Sequence, residues 1–168
     1  DDHPNVRFGL MRFTESSARP TNDTKGGRIS DHGDIIDHPT AEQLKAYIDA
    51  FSAETFTPLA EALAEAGLYF DGQKSWFHRR TYTSPIDIKC RPNAIILITD
   101  GESTRDQDPR LSEQESYINN GTIGDFDKDG NEARMFEQGG SDYLDDVAAY
   151  LYENDLMPQM GTGDPKFE

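Results

Sequence analysis

Cysteine, basic residues and long apolar stretches are all scarce in this 168-residue sequence. The single cysteine, Cys90, excludes a disulfide within the chain and a cysteine-rich zinc site, and its thiol is expected to be either buried or paired with a cysteine outside the chain. No stretch approaches the roughly 18 apolar residues of a membrane span, and residues 1–4 do not have the features of a signal peptide. With 32 acids against 16 bases the net charge is -16. Such a surface repels nucleic acid and anionic lipid, so neither is an expected partner, whereas divalent cations are attracted.

One apolar run stands out against this polar background. Residues 94–98 are five consecutive aliphatic residues, and a run without alternation predicts a strand buried on both faces in the middle of a parallel sheet. Asp100 follows the run, so it would lie at the carboxyl end of the strand, where open α/β sheets place their ligands. Asp100 and Gly101 also form a common turn dipeptide, so the run alone leaves a ligand site and a simple turn open.

Strands and a first helix are predicted before this run. Alternation of apolar residues predicts a strand over residues 6–13, and a second short strand is predicted within residues 28–36. A capping box formed by Thr40 and Gln43 predicts the start of a helix that continues to Phe51. Apolar residues recur there at helical spacing, so one face of this helix is expected to pack on the sheet.

The strongest helix signal begins at Thr57. Thr57 is placed to be the N-cap, Pro58 suits the first helical position and Gly72 would end the helix. Thr57 can therefore be an ordinary cap hydroxyl or an oxygen ligand held at a loop-to-helix junction. A last helix is predicted over residues 141–154, with Ser141 as its N-cap. The buried stripe expected on the helix after Thr57 consists of Leu59, Leu63, Ala66 and Phe70.

An acidic segment further along has the opening of a calcium loop. Asp125, Asp127 and Asp129 supply oxygen side chains at alternate positions, a glycine follows in the sixth position, and the carbonyl of Asn131 would add a further ligand. The twelfth position is Phe136, where a full EF-hand has a bidentate glutamate. An acidic solvated turn is the alternative to calcium binding. The residues that could close the calcium shell instead are Glu132, Glu137 and Asp142.

The order of these elements resembles a von Willebrand factor type A domain. The resemblance is carried by Thr57-Pro58-Leu59 at a helix start and by an apolar strand that ends in Thr99-Asp100-Gly101. A narrower resemblance, to the A-type domain of the PilY1/PilC family of type IV pilus biogenesis proteins and tip adhesins, covers most of residues 40–157. The segments that carry it are residues 56–70, 84–86, 90–104 and 141–148.

This resemblance implies a fold and a site. The fold would be a Rossmann-like open α/β sheet flanked by helices, lacking its first and last strands in this chain, as one partial domain over residues 1–168 with insertions at about 71–92 and 105–140. Thr57 and Asp100 would correspond to two ligands of a metal-ion-dependent adhesion site holding magnesium, calcium or manganese. The family's Asp-x-Ser-x-Ser motif does not occur in these 168 residues. We therefore expect the chain to be an internal piece of a larger polypeptide that supplies the rest of the site.

The resemblance also implies a non-enzymatic role in metal-dependent adhesion and pilus assembly. Expected partners are the minor pilins of the type IV pilus tip and host or abiotic surface ligands. The expected location is the cell surface or the extracellular space, reached through the periplasm of a Gram-negative bacterium. The alternative is a metal-dependent hydrolase that uses Asp100, but the sequence has no Gly-x-Ser-x-Gly elbow and no phosphate-binding loop. It also offers no obvious partner base, because all of its histidines lie outside the strand-end motifs: His3, His32, His38 and His78.

Overall fold

A computed structural model describes eight stretches of the chain, residues 6–13, 27–29, 40–51, 56–77, 80–88, 91–112, 116–130 and 135–157. Cys90 and the four histidines lie outside these residues. The helices are α1 (Ala41–Asp49), α2 (Leu59–Asp71) and α3 (Tyr143–Glu153). The strands are β1 (Met11–Phe13), β2 (Gly27–Ile29), β3 (Met135–Phe136) and β4 (Gly140–Ser141), and short 3-10 helices occupy Pro109–Leu111, Ile118–Asn120 and Glu137–Gly139.

Helix α2 is the centre of the core. Every one of its residues from Leu59 to Tyr69 is buried, so the helix is covered on all sides and not only along the predicted stripe. Phe70, expected within that stripe, is only partly buried. Residues packed in the same core come from α3 and from the loops after residue 100, and they include Leu111, Ile118, Val147 and Tyr150.

The sequence predicts the C-terminal end of α2 correctly and its N-terminal end incorrectly. Gly72 ends the helix in a left-handed conformation with a φ of 73°, which confirms the predicted terminator. At the other end the helix begins one residue later than predicted, with Pro58 in the cap position and no cap hydrogen bond from its side chain. The prediction that Thr57 is the N-cap is therefore wrong, because a more distant residue, Asp106, takes over that role.

Helix α1 forms where the capping box predicts it. The Gln43 amide donates to Thr40 Oγ1 at 3.2 Å and the Thr40 amide donates to Gln43 Oε1 at 2.9 Å. No residue of α1 is buried, so the expectation that one face packs on a sheet is wrong for the described part of the chain. The physical reason is that the described residues provide no sheet surface large enough to cover that face.

Helix α3 also forms close to the predicted bounds, but its start was predicted incorrectly. Ser141 belongs to β4, and Asp142 occupies the cap position without a cap hydrogen bond. Val147 and Tyr150 of this helix are buried in the core.

The described strands form two short antiparallel ladders. Strand β1 pairs with β2, with Met11 opposite Ile29, and β3 pairs with β4. The predicted strand over residues 6–13 is therefore a strand only in its last three residues, and most of the second predicted strand lies outside the described residues. The open α/β sheet remains a prediction, since these ladders do not form one.

The aliphatic run is the largest departure from the sequence prediction. Residues 94–98 have no ladder partner among the described residues, and the side chains of Ile96 and Ile98 are each 84% exposed. The prediction of a strand buried on both faces is therefore wrong for the structure as it stands. Burial would need strands on both edges and packed layers on both faces, and the described residues do not supply them.

Among the described residues, no helix has the length and apolar character needed to cross a membrane.

Replacing Gly67 by alanine should destabilise the contact of α2 with its neighbours. A Cβ there would lie 2.1 Å from Tyr117 Oη and 2.6 Å from Leu151 Cδ2, so both must move. We expect Gly67→Ala to lower the free energy of unfolding by about 1–3 kcal/mol, the usual cost of overpacking a core. Chemical denaturation measures this, with Gly101→Ala as the control because a Cβ at Gly101 meets nothing within 4 Å. Equal stability of the two variants would contradict this packing.

Candidate metal sites

Thr57 is joined to the segment that follows Asp100. The Thr57 amide donates to Thr104 Oγ1 at 2.8 Å, and the Thr104 amide donates to the Thr57 carbonyl at 2.9 Å. This reciprocal pair holds the chain before α2 against the chain four residues beyond Asp100. Thr104 was not singled out from the sequence, where a hydroxyl residue in a loop carries no distinctive signal.

Asp100 itself lies in an exposed turn. The Gly101 amide donates to Thr99 Oγ1 at 3.3 Å, and residues 92–102 are all exposed. Thr57, by contrast, is half-buried. The hydroxyl of Thr57 and the carboxylate of Asp100 are both hard oxygen donors, a set that fits magnesium, calcium or manganese. Within the described residues Asp100 belongs to no group of clustered acids.

Asp106 fixes the N-terminus of α2. Its two carboxylate oxygens accept hydrogen bonds from the amides of Ala60 at 2.8 Å and Glu61 at 2.9 Å. Its own amide donates to the Gly139 carbonyl at 2.8 Å, so Asp106 also ties α2 to the residues just before β4. Such contacts satisfy helix amides that would otherwise be buried without partners.

Complete burial gives Asp106 unusual acid–base behaviour. Its side chain is fully buried, and this burial raises its pKa from 3.8 to about 6, although hydrogen bonds from the amides of Glu61 and Ala60 act in the opposite direction. Sequence reasoning missed this residue because it is 45 and 46 positions away from the amides that it caps. A cap supplied from that distance leaves no local pattern.

Two buried glutamates attach other loops to α2. Glu65 accepts hydrogen bonds from the Trp76 amide at 3.1 Å and from the Tyr82 hydroxyl at 2.5 Å, and burial and Glu65 together raise the pKa of Tyr82. Glu61 accepts a hydrogen bond from the Asp108 amide at 3.0 Å. These contacts are structural, because they attach both predicted insertions to the core helix.

Arg110 also belongs to this network. Its guanidinium forms a bidentate pair with Asp108 at 2.7 and 2.8 Å and donates to the Trp76 carbonyl at 2.8 Å. The same group lies over the rings of Trp76 and Phe77, 5.0 and 4.7 Å from their centroids. Arg110 therefore links the loop after residue 72 to the loop after residue 104.

The predicted calcium loop brings acids together, and α3 adds two more. Carboxylate oxygens of Asp125, Asp127 and Asp146 lie within 4.8 Å of one another, and so do those of Asp127, Asp129 and Asp145. Asp127 is common to both groups. Asp125 and Asp129 each lie beside Asp127, but in different groups, so the three aspartates of the loop do not all converge on one centre. The calcium site remains a prediction.

The backbone of this loop turns sharply around the acids. Gly130 has a φ of 80°, and its amide donates to Asp125 Oδ1 at 3.2 Å. The Asp129 amide donates to Asp127 Oδ1 at 3.1 Å, and the Asp127 amide donates to Asp146 Oδ1 at 3.3 Å. The loop is thereby closed on itself and attached to α3. Lys128 and Gly130 both adopt the left-handed region, which glycine enters at the lower cost.

Asp146 is the buried member of the group. Burial raises its pKa to about 6, and the charges of Asp145 and Asp127 raise it further, whereas the amides of Asp127 and Phe126 lower it. In the sequence, Asp145 and Asp146 are fully explained as acids near the N-terminus of a helix. Their place beside the acidic loop could not be predicted from their positions in the sequence.

The remaining residues predicted as calcium ligands are Asn131, Glu132, Glu137 and Asp142. Asn131 and Glu132 lie outside the described residues, as does the side chain of Glu137. Asp142 belongs to neither group of converging acids found among the described residues.

Comparison with known proteins assigns no family to the chain. No family model matches it, and neither a curated protein nor a solved structure is significantly similar to it. Its function is therefore inferred from its own residues and their geometry.

Replacing Asp106 by asparagine should change how stability depends on pH. The folded pKa of Asp106, about 6, lies above its ordinary value of 3.8, so the folded state binds this proton more tightly than the unfolded state. The contribution of Asp106 to the free energy of unfolding is then present in full below pH 3.8 and is lost as the pH rises to 6.

Asparagine keeps an acceptor for the α2 amides but does not ionise. We expect the stability of Asp106→Asn, relative to the native chain, to improve as the pH rises from 4 to 7, measured by urea denaturation at each pH. The pH dependence of stability that other titrating groups such as Asp146 contribute is the same in both proteins, so it cancels in this comparison. A stability difference independent of pH would contradict the assignment.

Proposed function

We propose that this chain is part of a von Willebrand factor A-like binding module in a PilY1-like protein of the type IV pilus. Its support is the combination of residues 56–70, 84–86, 90–104 and 141–148, in which two oxygen-bearing loop motifs accompany the helix and strand patterns of that family. The module binds a partner or surface and does not catalyse a reaction. Its partners are minor pilins at the pilus tip and host or abiotic surface ligands. Its place is the cell surface or the extracellular space of a Gram-negative bacterium, reached through the periplasm.

The reciprocal hydrogen bonds between Thr57 and Thr104 are the observation that carries this proposal. They hold the loop with one proposed ligand, Thr57, against the segment that carries the other, Asp100. Asp100 is exposed, so a partner can reach it. A binding site needs both properties, since its ligands must be positioned by the scaffold and remain accessible.

A divalent metal at this site would be held by the hydroxyl of Thr57 and the carboxylate of Asp100. A bound magnesium, calcium or manganese ion supplies a positive centre that an acidic group of a partner can complete, which makes binding depend on the metal. The role of the chain itself is to orient Thr57 through Thr104 and through the start of α2.

A separate calcium ion at the loop formed by Asp125, Asp127 and Asp129 would stabilise the second insertion. The converging carboxylates repel one another, and burial of Asp146 adds a desolvation cost to its charged form. A calcium ion relieves both effects because it offsets the charge and is coordinated by hard oxygens. Asp145 and Asp146 would complete its shell, instead of Glu132, Glu137 or Asp142, the residues named from the sequence.

Calcium should stabilise the chain through Asp146. At a calcium concentration a hundredfold above Kd, we expect the free energy of unfolding to rise by about 2.7 kcal/mol. Asp146→Asn should lose most of this gain, because it removes the buried charge while keeping an acceptor for the Asp127 amide. Denaturation with and without calcium measures the effect.

Asp142→Asn is the matched control for this measurement. Asp142 precedes the same helix but lies outside both acid groups, so this variant should respond to calcium like the native chain. An unchanged calcium response in Asp146→Asn, or no response in the native chain, would rule out the proposed ion.

Partner binding should depend on metal and on Asp100. In the full-length protein, we expect adhesion to a surface or to purified minor pilins to fall at least tenfold with chelator, and to fall similarly in Asp100→Ala and Thr57→Ala. Glu102→Ala is the control, since Glu102 is an exposed acid on the same loop. Surface-plasmon resonance and bacterial attachment measure these effects.

Two outcomes would contradict the proposed binding role. One is full binding in chelator and in both variants. The other is hydrolysis of a defined substrate by the native protein that Asp100→Ala abolishes, because this result would favour the hydrolase.

A further inference from the structure

The dipeptide Asp-Gly occurs at three places in the chain, residues 71–72, 100–101 and 129–130. Such a pair can rearrange without an enzyme, because the glycine amide nitrogen can attack the carboxyl carbon of the aspartate side chain. Glycine favours the attack, since it has no side chain to block the close approach of its nitrogen. The three pairs have the same chemistry, so a difference in their reactivity comes from the fold.

At residues 100–101 the attacking amide is held only weakly. Both residues are exposed, and a Cβ built on Gly101 would meet nothing within 4 Å. The Gly101 amide donates to Thr99 Oγ1 at 3.3 Å, which is longer than a typical bond of this kind, and the Thr99 side chain is itself exposed. Rotation of that side chain releases the amide without opening a helix or a strand.

At residues 129–130 the amide has a stronger acceptor. The Gly130 amide donates to Asp125 Oδ1 at 3.2 Å. Hydrogen bonds to a carboxylate are stronger than those to a neutral oxygen. This bond also closes the acidic loop, so the amide is released only when the loop opens.

At residues 71–72 the pair is part of the core. Asp71 is only 8% exposed, and the Gly72 amide donates to the Tyr69 carbonyl at 3.2 Å where α2 ends. Attack by this amide would require the last turn of α2 to unwind.

We propose that Asp100 converts spontaneously to isoaspartate in the folded chain, whereas Asp71 and Asp129 do not. The Gly101 nitrogen forms a bond to Asp100 Cγ, and the carboxyl hydroxyl leaves with the amide proton as water. A second water molecule then opens the resulting succinimide ring. Opening at the main-chain carbonyl leaves the chain linked through Cγ, which is isoaspartate, and opening at the other carbonyl restores aspartate. One water is released and one is taken up, and no electrons are transferred.

This rearrangement needs only the folded chain, so the inference does not rest on the proposed function. It does alter a residue that the proposed function uses. The backbone gains a methylene group at residue 100, and the carboxylate that remains is the former main-chain one. Under the proposed function, each converted chain therefore lacks the Asp100 ligand in its proper position.

The amount of isoaspartate at each pair after prolonged incubation tests this proposal. The chain is kept at neutral pH and physiological temperature with chelator, so that no metal holds the Asp100 carboxylate. Trypsin places the three pairs on separate peptides, and isoaspartyl methyltransferase labels the converted ones. We expect residue 100 to contain about tenfold more isoaspartate than residues 71 and 129, because reaction there does not wait for local opening of the fold. In urea all three pairs should react at similar rates.

Gly101→Ala is the matched variant. Its methyl group meets no other part of the folded chain but hinders the attacking nitrogen, so isoaspartate should fall several-fold at residue 100 and stay unchanged at residues 71 and 129. Equal isoaspartate at all three pairs in the folded chain would overturn the proposal. Conversion of residue 100 in urea but not in the folded chain would overturn it too, because the fold would then protect this pair as well.

Discussion

The burial of α2, continuous from Leu59 to Tyr69, is the constraint on which the rest of the structure depends. A helix covered on all sides must have its terminal amides and its acidic side chains satisfied by other parts of the chain. Asp106 satisfies the first amides, and Glu61 and Glu65 accept hydrogen bonds from two different loops. Each of these bonds fixes a distant segment on α2. The loops after residues 72 and 104 are therefore parts of the core and not free insertions.

This constraint also positions the proposed adhesion site. Asp106 holds the first turn of α2. The hydrogen bonds between Thr57 and Thr104 hold the chain just before that turn. The aliphatic run leads directly into the turn that carries Asp100.

Features specified by neighbouring residues could be predicted from the sequence. The capping box of α1, the end of α2 at Gly72 and the turn of the acidic loop at Gly130 all depend on contacts within about six residues. Features that depend on distant contacts could not. Asp106 as a cap, Asp146 beside the acidic loop and Thr104 beside Thr57 arise from packing that has no local pattern. The aliphatic run shows the same limit, because its composition predicts burial, whereas burial depends on partners that the described residues do not include.

Manganese-induced line broadening in the NMR spectrum of the 168-residue chain tests the central claim most directly. Manganese suits the same oxygen ligands as magnesium and calcium, and its unpaired electrons broaden the signals of nearby nuclei. The proposed function predicts two separate regions of broadening, one at Thr57 and residues 100–104 and one at residues 125–129 and 145–146. Broadening confined to the second region would contradict the adhesion-type site. Absence of broadening in both regions would contradict metal binding altogether.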